Sequence, residues 1–315
     1  MHRPRLLRAP RPRRAAPREP DAVVAAEDGV RLAAWVSEPT AAPPRSRADR
    51  LLRRRPEPAT VVLVHGWTLA AVAWERTVAE LARVRPDVRV VRYDQRGHGA
   101  SRTASTAAGP ASIRLLGADL AAVVRALAPT GPLVLGGHSM GGMAVLSGVG
   151  HHPELLGPRT RGVLLCSTSA GGLSASGRPL VPLMAALARL PEAVNVPRAP
   201  RLLTQRTNYG PGVDPALVAA TSRAMGPVSG RSTGEWFAAL MAHDERAALP
   251  ALAASGAGVQ VLVGDADRLT PVDHAQALAA ALPQARLRVV PGAGHMLFVE
   301  RPDVVVRALV ELLAP

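Results

Sequence analysis

The sequence predicts an α/β fold in which helices cover both faces of a mostly parallel β-sheet. Short apolar runs of strand length alternate along most of the chain with longer segments of helical spacing. Several of these runs are continuously apolar, as expected of parallel strands that are buried on both faces. With 315 residues and 48% hydrophobic composition, the chain is long enough for one large domain with an inserted segment.

The elements can be placed in order along the chain. Residues 22–25 and 30–36 surround the turn signal Asp28-Gly29 and predict a β-hairpin. Further apolar runs predict parallel strands at residues 61–64, 88–93, 132–138, 162–166, 259–263 and 287–290. Helical spacing marks the segments between or after these strands, at residues 74–84, 112–127, 271–282 and 296–313.

Residues 170–250 interrupt this alternation. No apolar run of strand length occurs in them, and proline and glycine separate helical patches at residues 180–190, 215–225 and 235–249. We therefore expect a helical cap inserted over the carboxyl edge of the sheet. Residues 21–169 and 251–315 then form the core of the domain.

Two polar segments lie outside this plan. Residues 1–20 are rich in arginine and proline and hold too little apolar surface to fold, which predicts a disordered tail. Residues 38–58 contain Pro43-Pro44 and a run of three arginines, and they predict a surface insertion. A basic arm that contacts an anionic partner is the alternative for the tail.

The charge distribution argues against a nucleic-acid-binding surface. The chain contains 38 arginines and no lysine, and its formal net charge is +14. Residues 1–55 hold 14 arginines against 6 acidic residues, a net +8, so only +6 is spread over the remaining 260 residues. Aromatic residues make up 3% of the chain, too few for base-stacking platforms. We therefore expect no nucleic-acid partner.

The cysteine count and the length of the apolar segments restrict the class of protein further. The lone Cys166 excludes an internal disulfide and a multi-cysteine zinc site, and its apolar neighbours predict a buried strand position. No window approaches the ~20 apolar residues of a membrane span. Residues 1–20 lack the apolar centre of a secretory signal. The expected location is the cytoplasm.

The most informative stretch is residues 132–142, where a predicted strand leads into Ser139. Gly137 and Gly141 flank the serine at minus two and plus two, and a run with helical character follows. A nucleophile on a sharp strand-to-helix turn needs neighbours without a Cβ atom, because the two backbones approach closely there. The helix also directs free N–H groups towards the serine, where an oxyanion could be held. A glycine-rich turn with an incidental serine is the competing interpretation.

A serine nucleophile needs a base and an orienting acid, and both residue types follow later strands. Asp265 and Asp267 come directly after one predicted strand, and His295 follows the last one. Because the carboxyl ends of parallel strands gather at one edge of a sheet, we expect these side chains to lie near Ser139. The order along the chain is serine, acid, histidine.

With these residues in place, the chain resembles the α/β-hydrolase-fold enzymes over roughly residues 22–315. The matching features, in chain order, are His65-Gly66-Trp67, residues 94–99, residues 137–141, the Asp267 loop and Gly294-His295. The resemblance implies a twisted sheet of about eight strands, helices on both faces and an inserted helical cap.

The resemblance also implies a role for each site residue. Ser139 is the expected nucleophile, His295 the general base and then acid, and Asp267 the orienting carboxylate. The backbone N–H groups of Trp67 and Met140 are expected to form the oxyanion hole.

Other polar residues near this site have expected structural roles. Asp265 is the competitor for the acid, but the family usually carries a Gly-x-x-Asp loop with a proline beyond it, so Asp265 is expected to cap or to pair. Asp94 and Arg96 are expected to brace the loop beside the nucleophile. His65 is expected to hydrogen-bond a loop backbone, and His138 to point away from the site.

The expected reaction is acyl transfer to water, without cofactor or metal. Carboxylesterase activity on a small or medium acyl ester is the first choice, with the cap setting substrate size. A serine at the elbow disfavours epoxide opening and halide displacement, which use a carboxylate nucleophile. Thioesterase, lactonase, carbon–carbon bond hydrolase and cofactor-free haloperoxidase stay open within the family. A catalytically silent binding module is the alternative from a different class.

Overall fold

The computed structural model describes residues 19–45, 56–104, 110–173, 178–196, 201–225 and 227–314. Within these residues, an eight-stranded sheet and a separate two-stranded pair are formed. The strands are β1 (Ala22–Ala25), β2 (Arg31–Ser37), β3 (Thr60–Val64), β4 (Arg89–Tyr93), β5 (Leu133–His138), β6 (Thr160–Cys166), β7 (Asn195–Val196), β8 (Val228–Ser229), β9 (Gly258–Gly264) and β10 (Ala285–Val290).

The large sheet is parallel except where the N-terminal hairpin joins it. Its order is β1-β2-β4-β3-β5-β6-β9-β10, and β2 runs antiparallel to both β1 and β4. All neighbours from β4 to β10 are parallel. The predicted α/β class, with a mostly parallel sheet of about eight strands, is therefore confirmed.

Helices cover both faces of this sheet because its central strands are apolar on both sides. Val62 and Val64 of β3 face one core, and Val61 and Leu63 face the other, as the two-residue period of a strand requires. The helices are α1 (Glu75–Val84), α2 (Ile113–Leu127), α3 (Met140–His151), α4 (Val181–Leu187), α5 (Arg201–Asn208), α6 (Pro215–Ala224), α7 (Gly230–Ala242), α8 (Leu249–Ala254), α9 (Val272–Ala281), α10 (Leu297–Glu300) and α11 (Pro302–Leu312). Helices α2, α3, α8 and α9 pack on the first face, and α1, α10 and α11 pack on the second.

The helix predicted over residues 296–313 is two helices. Helix α10 ends at Glu300, and α11 begins at Pro302. Arg301 between them has φ −132° and ψ 59°, outside the helical region. The ring of a proline disfavours the helical conformation of the residue before it, so the chain bends at Arg301. The apolar spacing continues across this bend, which is why the sequence predicted a single helix.

The helix predicted over residues 235–249 also differs from the structure. Helix α7 begins earlier, at Gly230, and ends at Ala242. After it the chain becomes extended, and the N–H of Glu245 donates to the carbonyl of Ala170, four residues after the end of β6, at 2.7 Å. This backbone pairing takes the chain out of the helix where its periodicity alone would have continued.

Between β6 and β9 the described residues add no strand to the large sheet. They form α4, α5, α6, α7 and α8 and the short antiparallel pair of β7 with β8. Helix α4 lies directly on α7, where a Cβ atom on Gly234 would be 2.2 Å from the carbonyl oxygen of Met184. The division into a cap of residues 170–250 and a core stays a prediction.

One of the predicted segments lies almost entirely, and another partly, outside the described residues. The predicted tail is described only from residue 19, and the predicted surface insertion is described except for residues 46–55. Among the described helices, none combines the length and the apolar character that crossing a membrane requires.

Candidate active site

The turn between β5 and α3 holds Ser139 in a strained backbone conformation, with φ 53° and ψ −122°. Among the described residues, Thr68 and Ser167 are the other non-glycine positions with positive φ. These three residues follow β3, β5 and β6, which are neighbours in the sheet. Each such conformation costs about 1–3 kcal/mol and persists only where the surroundings determine it. Strain is therefore concentrated at the carboxyl edge.

Gly137 and Gly141 flank Ser139 because no Cβ atom fits at either position. A Cβ on Gly137 would lie 2.3 Å from the carbonyl oxygen of Gly141, and one on Gly141 would lie 2.2 Å from that of Val64. Strand β5, helix α3 and strand β3 therefore meet with their backbones in contact. This is the steric reason that the sequence predicted for the two glycines.

The backbone of Ser139 is held from the neighbouring strand β6. Its N–H donates to the carbonyl of Cys166 at 3.0 Å. Its own carbonyl accepts a bond from Thr168 Oγ1 at 2.7 Å. Cys166 is the last residue of β6 and Thr168 follows it by two positions, so the end of β6 holds the serine in addition to α3.

Asp267 and His295 form a close pair at the same edge. His295 Nδ1 lies 3.0 Å from Asp267 Oδ1 and 2.9 Å from Oδ2. The carboxylate also accepts bonds from the N–H of Leu269 at 2.9 Å, from the N–H of Thr270 at 3.0 Å and from Thr270 Oγ1 at 3.0 Å. With this many donors, the carboxylate is satisfied although its side chain is fully buried.

These contacts keep Asp267 ionised. Burial alone would raise the pKa of its carboxyl group, but the charge of His295 and the hydrogen bonds from His295, Thr270 and Leu269 lower it to about 2. Because Asp267 accepts at Nδ1, that nitrogen carries the proton of a neutral His295 ring, and Nε2 is the basic nitrogen.

His138 connects Ser139 to the His295 loop. Its Nε2 donates to the carbonyl oxygen of His295 at 2.8 Å, and the centres of the two rings are 4.8 Å apart. The expectation that His138 points away from the site is therefore wrong: its ring packs beneath the candidate base. Among the described residues, no hydrogen bond joins the Ser139 hydroxyl to the His295 ring. His138, which precedes Ser139 in the chain, is thus in direct contact with His295.

Burial keeps the two histidines of the neighbouring strand ends neutral. Burial lowers the pKa of His138 to about 3 and that of His65 to about 3. His65 Nδ1 donates to the carbonyl of Gly66 at 2.8 Å, and its Nε2 accepts from the N–H of Gln95 at 3.0 Å. His65 thus ties the loop after β3 to the loop after β4, and it hydrogen-bonds loop backbones as expected.

The candidate oxyanion donors lie in the loop after β3 and at the start of α3. Met140 is the first residue of α3, so its N–H has no acceptor within the helix. Within the described part of the chain, the N–H of Trp67 donates to no acceptor either. Gly66 brings this loop against the elbow, since a Cβ there would lie 3.1 Å from Ser139 Cβ. The N–H groups of Trp67 and Met140 therefore stay the candidates for the oxyanion hole.

Asp94 and Arg96 brace the surrounding loops. Asp94 Oδ1 accepts from the N–H of Ala71 at 2.6 Å, and Oδ2 accepts from the N–H of Ala100 at 2.7 Å. Burial raises the pKa of Asp94 to about 6, although both N–H groups oppose this shift. The guanidinium of Arg96 is buried and pairs with the carboxylates of Asp28 and Asp119. Neither Asp94 nor Arg96 contacts the Asp267–His295 pair.

Asp265, the competing candidate for the acid, faces elsewhere. Its Oδ1 accepts from the N–H of Gly292 at 2.7 Å, at an exposed position. Asp265 therefore caps the loop before His295, whereas Asp267 contacts the imidazole ring of His295.

Sequence reasoning missed three residues that support the site, namely Thr168, Thr270 and Glu300. The first two bind Ser139 and Asp267 as described above. The Glu300 carboxylate accepts from the N–H of Gly294, next to His295, at 3.1 Å. Polar side chains this close to a motif could have been flagged, but nothing in the local pattern indicates their partners.

Within the described ranges, no group of three or more His, Cys, Asp or Glu side chains is arranged to hold a metal ion.

Helix α7 lies over the candidate oxyanion loop. Trp67 Nε1 donates to the carbonyl of Thr233 at 3.1 Å, and the rings of Trp67 and Phe237 are 5.6 Å apart. One side of the site is therefore covered by a segment that lies between β6 and β9 in the chain.

Solved structures with the same fold include named esterases and other hydrolases. An esterase from Thermogutta terrifontis aligns with a TM-score of 0.70 at 22% identity, covering 93% of this chain and 97% of that chain. An enol-lactonase from Burkholderia xenovorans aligns with a TM-score of 0.69 at 22% identity, covering 93% of this chain and 99% of that chain. Likeness at this identity shows the fold alone.

Sequence comparison extends the likeness to a protein of named activity. A pimeloyl-[acyl-carrier protein] methyl ester esterase from Xanthomonas oryzae pv. oryzae is 28% identical over 263 residues, which is 81% of this chain and 94% of that protein. The family model described as the alpha/beta hydrolase family matches residues 61–308, a span that holds Ser139, Asp267 and His295. This chain therefore belongs to the α/β hydrolase family.

Proposed function

We propose that the chain is a serine hydrolase that cleaves carboxylic esters of small or medium acyl substrates through an acyl-enzyme. Ser139 is the nucleophile, His295 the general base and Asp267 its orienting acid. The observation that carries this proposal is the short contact of His295 Nδ1 with the buried Asp267 carboxylate, at the edge where Ser139 is strained. A serine hydroxyl alone is a weak nucleophile and becomes reactive only beside such a base.

In the acylation step, Ser139 Oγ bonds to the carbonyl carbon of the ester while His295 Nε2 accepts the hydroxyl proton. The electron pair of the carbonyl moves to its oxygen and gives a tetrahedral anion. When this anion collapses, the bond to the leaving alcohol breaks and His295 returns the proton to that alcohol. Asp267 stays ionised throughout, because its pKa is low, and it stabilises the imidazolium that forms.

The tetrahedral anion needs donors that point at the new negative charge. The N–H groups of Trp67 and Met140 are suited to this because neither is used within the described structure. Donors fixed in the backbone need no reorganisation as the charge develops, and removal of one such donor typically costs about 10²–10³ in rate.

Deacylation repeats the same steps with water. His295 Nε2 removes a proton from a water molecule whose oxygen bonds to the acyl carbon. The second tetrahedral anion then collapses, the bond to Ser139 Oγ breaks, and His295 returns the proton to the serine. The products are a carboxylic acid and an alcohol, and the enzyme is regenerated without a redox or metal step.

Relatives suggest where to begin the search for a substrate. The Xanthomonas oryzae relative is named for a methyl ester of an acyl chain on a carrier protein, and one structural neighbour is named an enol-lactonase. Both names describe an acyl–oxygen bond, so simple alkyl esters are the first substrates to test and lactones the next. Thioesters and carbon–carbon bonds would engage the same three side chains.

Residues 170–250 are proposed as a cap that limits substrate size. Its helix α7 contacts the oxyanion loop through the bond of Trp67 Nε1 to Thr233 and through the packing of Phe237 on Trp67. A substrate acyl group bound near Trp67 would therefore also lie near Phe237. Bulky acyl groups are expected to react more slowly than acetyl or butyryl groups.

A fluorophosphonate probe and p-nitrophenyl esters test the proposal together. The wild type is expected to hydrolyse the esters and to be labelled, whereas Ser139→Ala loses both. Ser255→Ala is the matched control, because Ser255 lies in the loop before β9 at the opposite edge of the sheet. Equal activity or equal inactivity of wild type and Ser139→Ala over a broad ester panel would contradict the proposal and favour a binding module.

A further inference from the structure

The carboxylate of Glu300 joins two segments that are far apart in the chain. Its Oε1 and Oε2 accept from the N–H of Gly294 at 3.1 and 3.2 Å. Its Oε2 also accepts from the N–H of Gly210 at 3.0 Å. Gly294 precedes His295, while Gly210 follows α5 in the proposed cap. One partly buried side chain thus holds the loop of the candidate base and the cap.

The two segments meet with their backbones in contact. A Cβ atom on Gly210 would lie 1.9 Å from the carbonyl oxygen of Gly292, and one on Gly294 would lie 2.4 Å from the carbonyl carbon of Tyr209. In addition, the N–H of Met296 donates to the carbonyl of Asn208 at 2.9 Å. No side chain can enter this contact. The N–H groups of Gly210 and Gly294 are buried there and need an acceptor, which Glu300 supplies.

We propose that Glu300 is a positioning residue for the hydrolytic reaction. It fastens residues 208–210 to residues 292–296 and through them fixes His295 against Asp267. This contact is called the latch, and it consists of Glu300, Gly210 and Gly294. The inference rests on the proposed function, since it concerns how the base of that site is held.

The latch has a consequence for substrate binding. His295 lies within the segment that the latch fastens, and Gly210 lies on the segment that connects α5 to α6. A movement of the cap at residues 208–210 is therefore transmitted to the backbone of His295 without passing through Ser139. A misplacement of about 1 Å at a reacting group can cost on the order of 10² in rate. The position of the base is thus linked to the state of the cap.

The charge of Glu300 also acts on the site. Burial raises the pKa of Glu300, the N–H groups of Gly210 and Gly294 lower it, and Asp267 and His295 act on it in opposite directions. Other ionisable groups on the elements packed around it include Cys166 of β6, His138 of β5 and Arg76 of α1, whose guanidinium donates to the carbonyl of Val299 at 2.7 Å. A carboxylate near the imidazolium that forms on His295 attracts its positive charge, and removal of the Glu300 charge removes that attraction.

Two substitutions separate the length of the side chain from its charge. Glu300→Gln keeps the length and one acceptor oxygen but removes the charge. Glu300→Asp keeps the charge but is one methylene shorter and cannot reach both N–H groups. Glu311→Gln is the matched control, because Glu311 lies on α11 and pairs with Arg288 and Gln260 away from the site.

The assay measures kcat, KM and the pH profile on a p-nitrophenyl ester, with the thermal midpoint of each variant. Both Glu300 variants are expected to lose about tenfold in kcat, with KM changed less than about threefold. The acid limb of the pH profile is expected to shift to lower pH in Glu300→Gln but not in Glu300→Asp. Glu311→Gln is expected to stay within about twofold of wild type. Full activity of Glu300→Asp, or of both variants, overturns the latch.

Amide hydrogen exchange tests the latch in the wild type, independently of whether a variant folds. The N–H groups of Gly210 and Gly294 are expected to be protected, and at least one of them to lose protection in Glu300→Asp, whose side chain cannot reach both. Exchange of both amides at the rate of an exposed loop overturns the inference. If the fluorophosphonate probe does not label Ser139 in the wild type, the proposed function fails and the inference fails with it. Normal labelling with insensitive Glu300 variants overturns the inference alone.

Discussion

The two edges of the same sheet are built differently, although both carry charged side chains. At the carboxyl edge, Ser139 has a strained backbone and the Asp267 carboxylate is fully buried against His295. At the amino edge, a cleft of about 490 Å³ is lined by residues that include Arg161 and Glu311. Glu311 pairs there with partly exposed arginines, and no non-glycine residue described at that edge has a positive φ.

This difference shows which structural features distinguish the candidate site from the rest of the sheet. The amino-edge cleft is open, and its charges are paired near water, where an ion pair contributes little. At the carboxyl edge, burial makes each carboxylate depend on specific donors, and several turns adopt conformations that cost free energy. Strain combined with satisfied buried charge therefore distinguishes this edge better than the presence of a cleft does. The following substitutions test that contrast, in order of expected effect.

Removal of the candidate base is expected to have the largest effect. His295→Ala takes away the group that accepts and returns the serine proton, so kcat should fall by about 10⁴–10⁶. Arg161→Ala, at the amino edge, should leave kcat within about twofold. Steady-state hydrolysis of a p-nitrophenyl ester measures both. A comparable loss in the two variants would remove the distinction between the edges.

Substitution of the orienting acid is expected to have the second-largest effect. Asp267→Asn keeps the shape of the side chain but no longer stabilises the proton on His295 Nδ1, and kcat is expected to fall by about 10³–10⁴. Asp265→Asn disturbs only the cap on Gly292, so its kcat should change less than about threefold. The ratio of kcat between these two variants decides which aspartate serves the histidine.

Glycine substitutions test the close backbone contacts. Gly141→Ala places a Cβ 2.2 Å from the carbonyl oxygen of Val64, and this overpacking is expected to cost about 3 kcal/mol of unfolding free energy. Gly157, at the amino edge, has φ −66° and ordinary contacts, with the carbonyl oxygen of Glu154 3.4 Å away. Gly157→Ala should therefore change stability by less than about 1 kcal/mol. Denaturant unfolding of the two variants gives the comparison.

Acid unfolding is expected to report on Asp267. Its folded pKa of about 2 lies below the ordinary value of 3.8, so the carboxylate contributes stability that is fully present above pH 3.8 and is lost as pH falls through 2. The contribution is about 2 kcal/mol. The unfolding free energy of wild type should therefore fall more steeply between about pH 4 and pH 2 than that of Asp267→Asn. Parallel curves would mean that the carboxylate is not held as the structure indicates.

The smallest effect is expected at the amino edge. Glu311→Gln weakens partly exposed pairs with Arg286 and Arg288. Such pairs contribute about 0.2–1 kcal/mol each, and less at high salt. The thermal midpoint should therefore drop by only a few degrees, and salt should reduce the difference from wild type. A loss as large as that of Gly141→Ala would show that charge at this edge matters as much as close packing at the other.

The elements whose signal is local could be predicted from the sequence. The apolar runs identified the central strands because these are buried on both faces, as Val61 and Val62 show. The elbow glycines were predictable because a Cβ is excluded at Gly137 and Gly141 by neighbours within the same turn or on the adjacent strand.

Features that depend on distant partners could not be predicted. Glu300 acquires its role only when α5 brings Gly210 against the His295 loop, and no spacing in the sequence indicates that meeting. The orientation of His138 was predicted wrongly for the same reason, since its partner is the carbonyl of His295, 157 positions away. The end of α7 at Ala242 likewise depends on pairing of the chain with Ala170.

The central claim is that Ser139 carries the acyl group as a covalent intermediate, formed and hydrolysed with His295 as the acid and base. Mass spectrometry after acid quenching of the wild type with a p-nitrophenyl ester tests this most directly. The account predicts one acyl group per chain, located on the peptide that contains Ser139 and absent from Ser139→Ala. An acyl group on another residue, or an acylated Ser139→Ala chain, would contradict it.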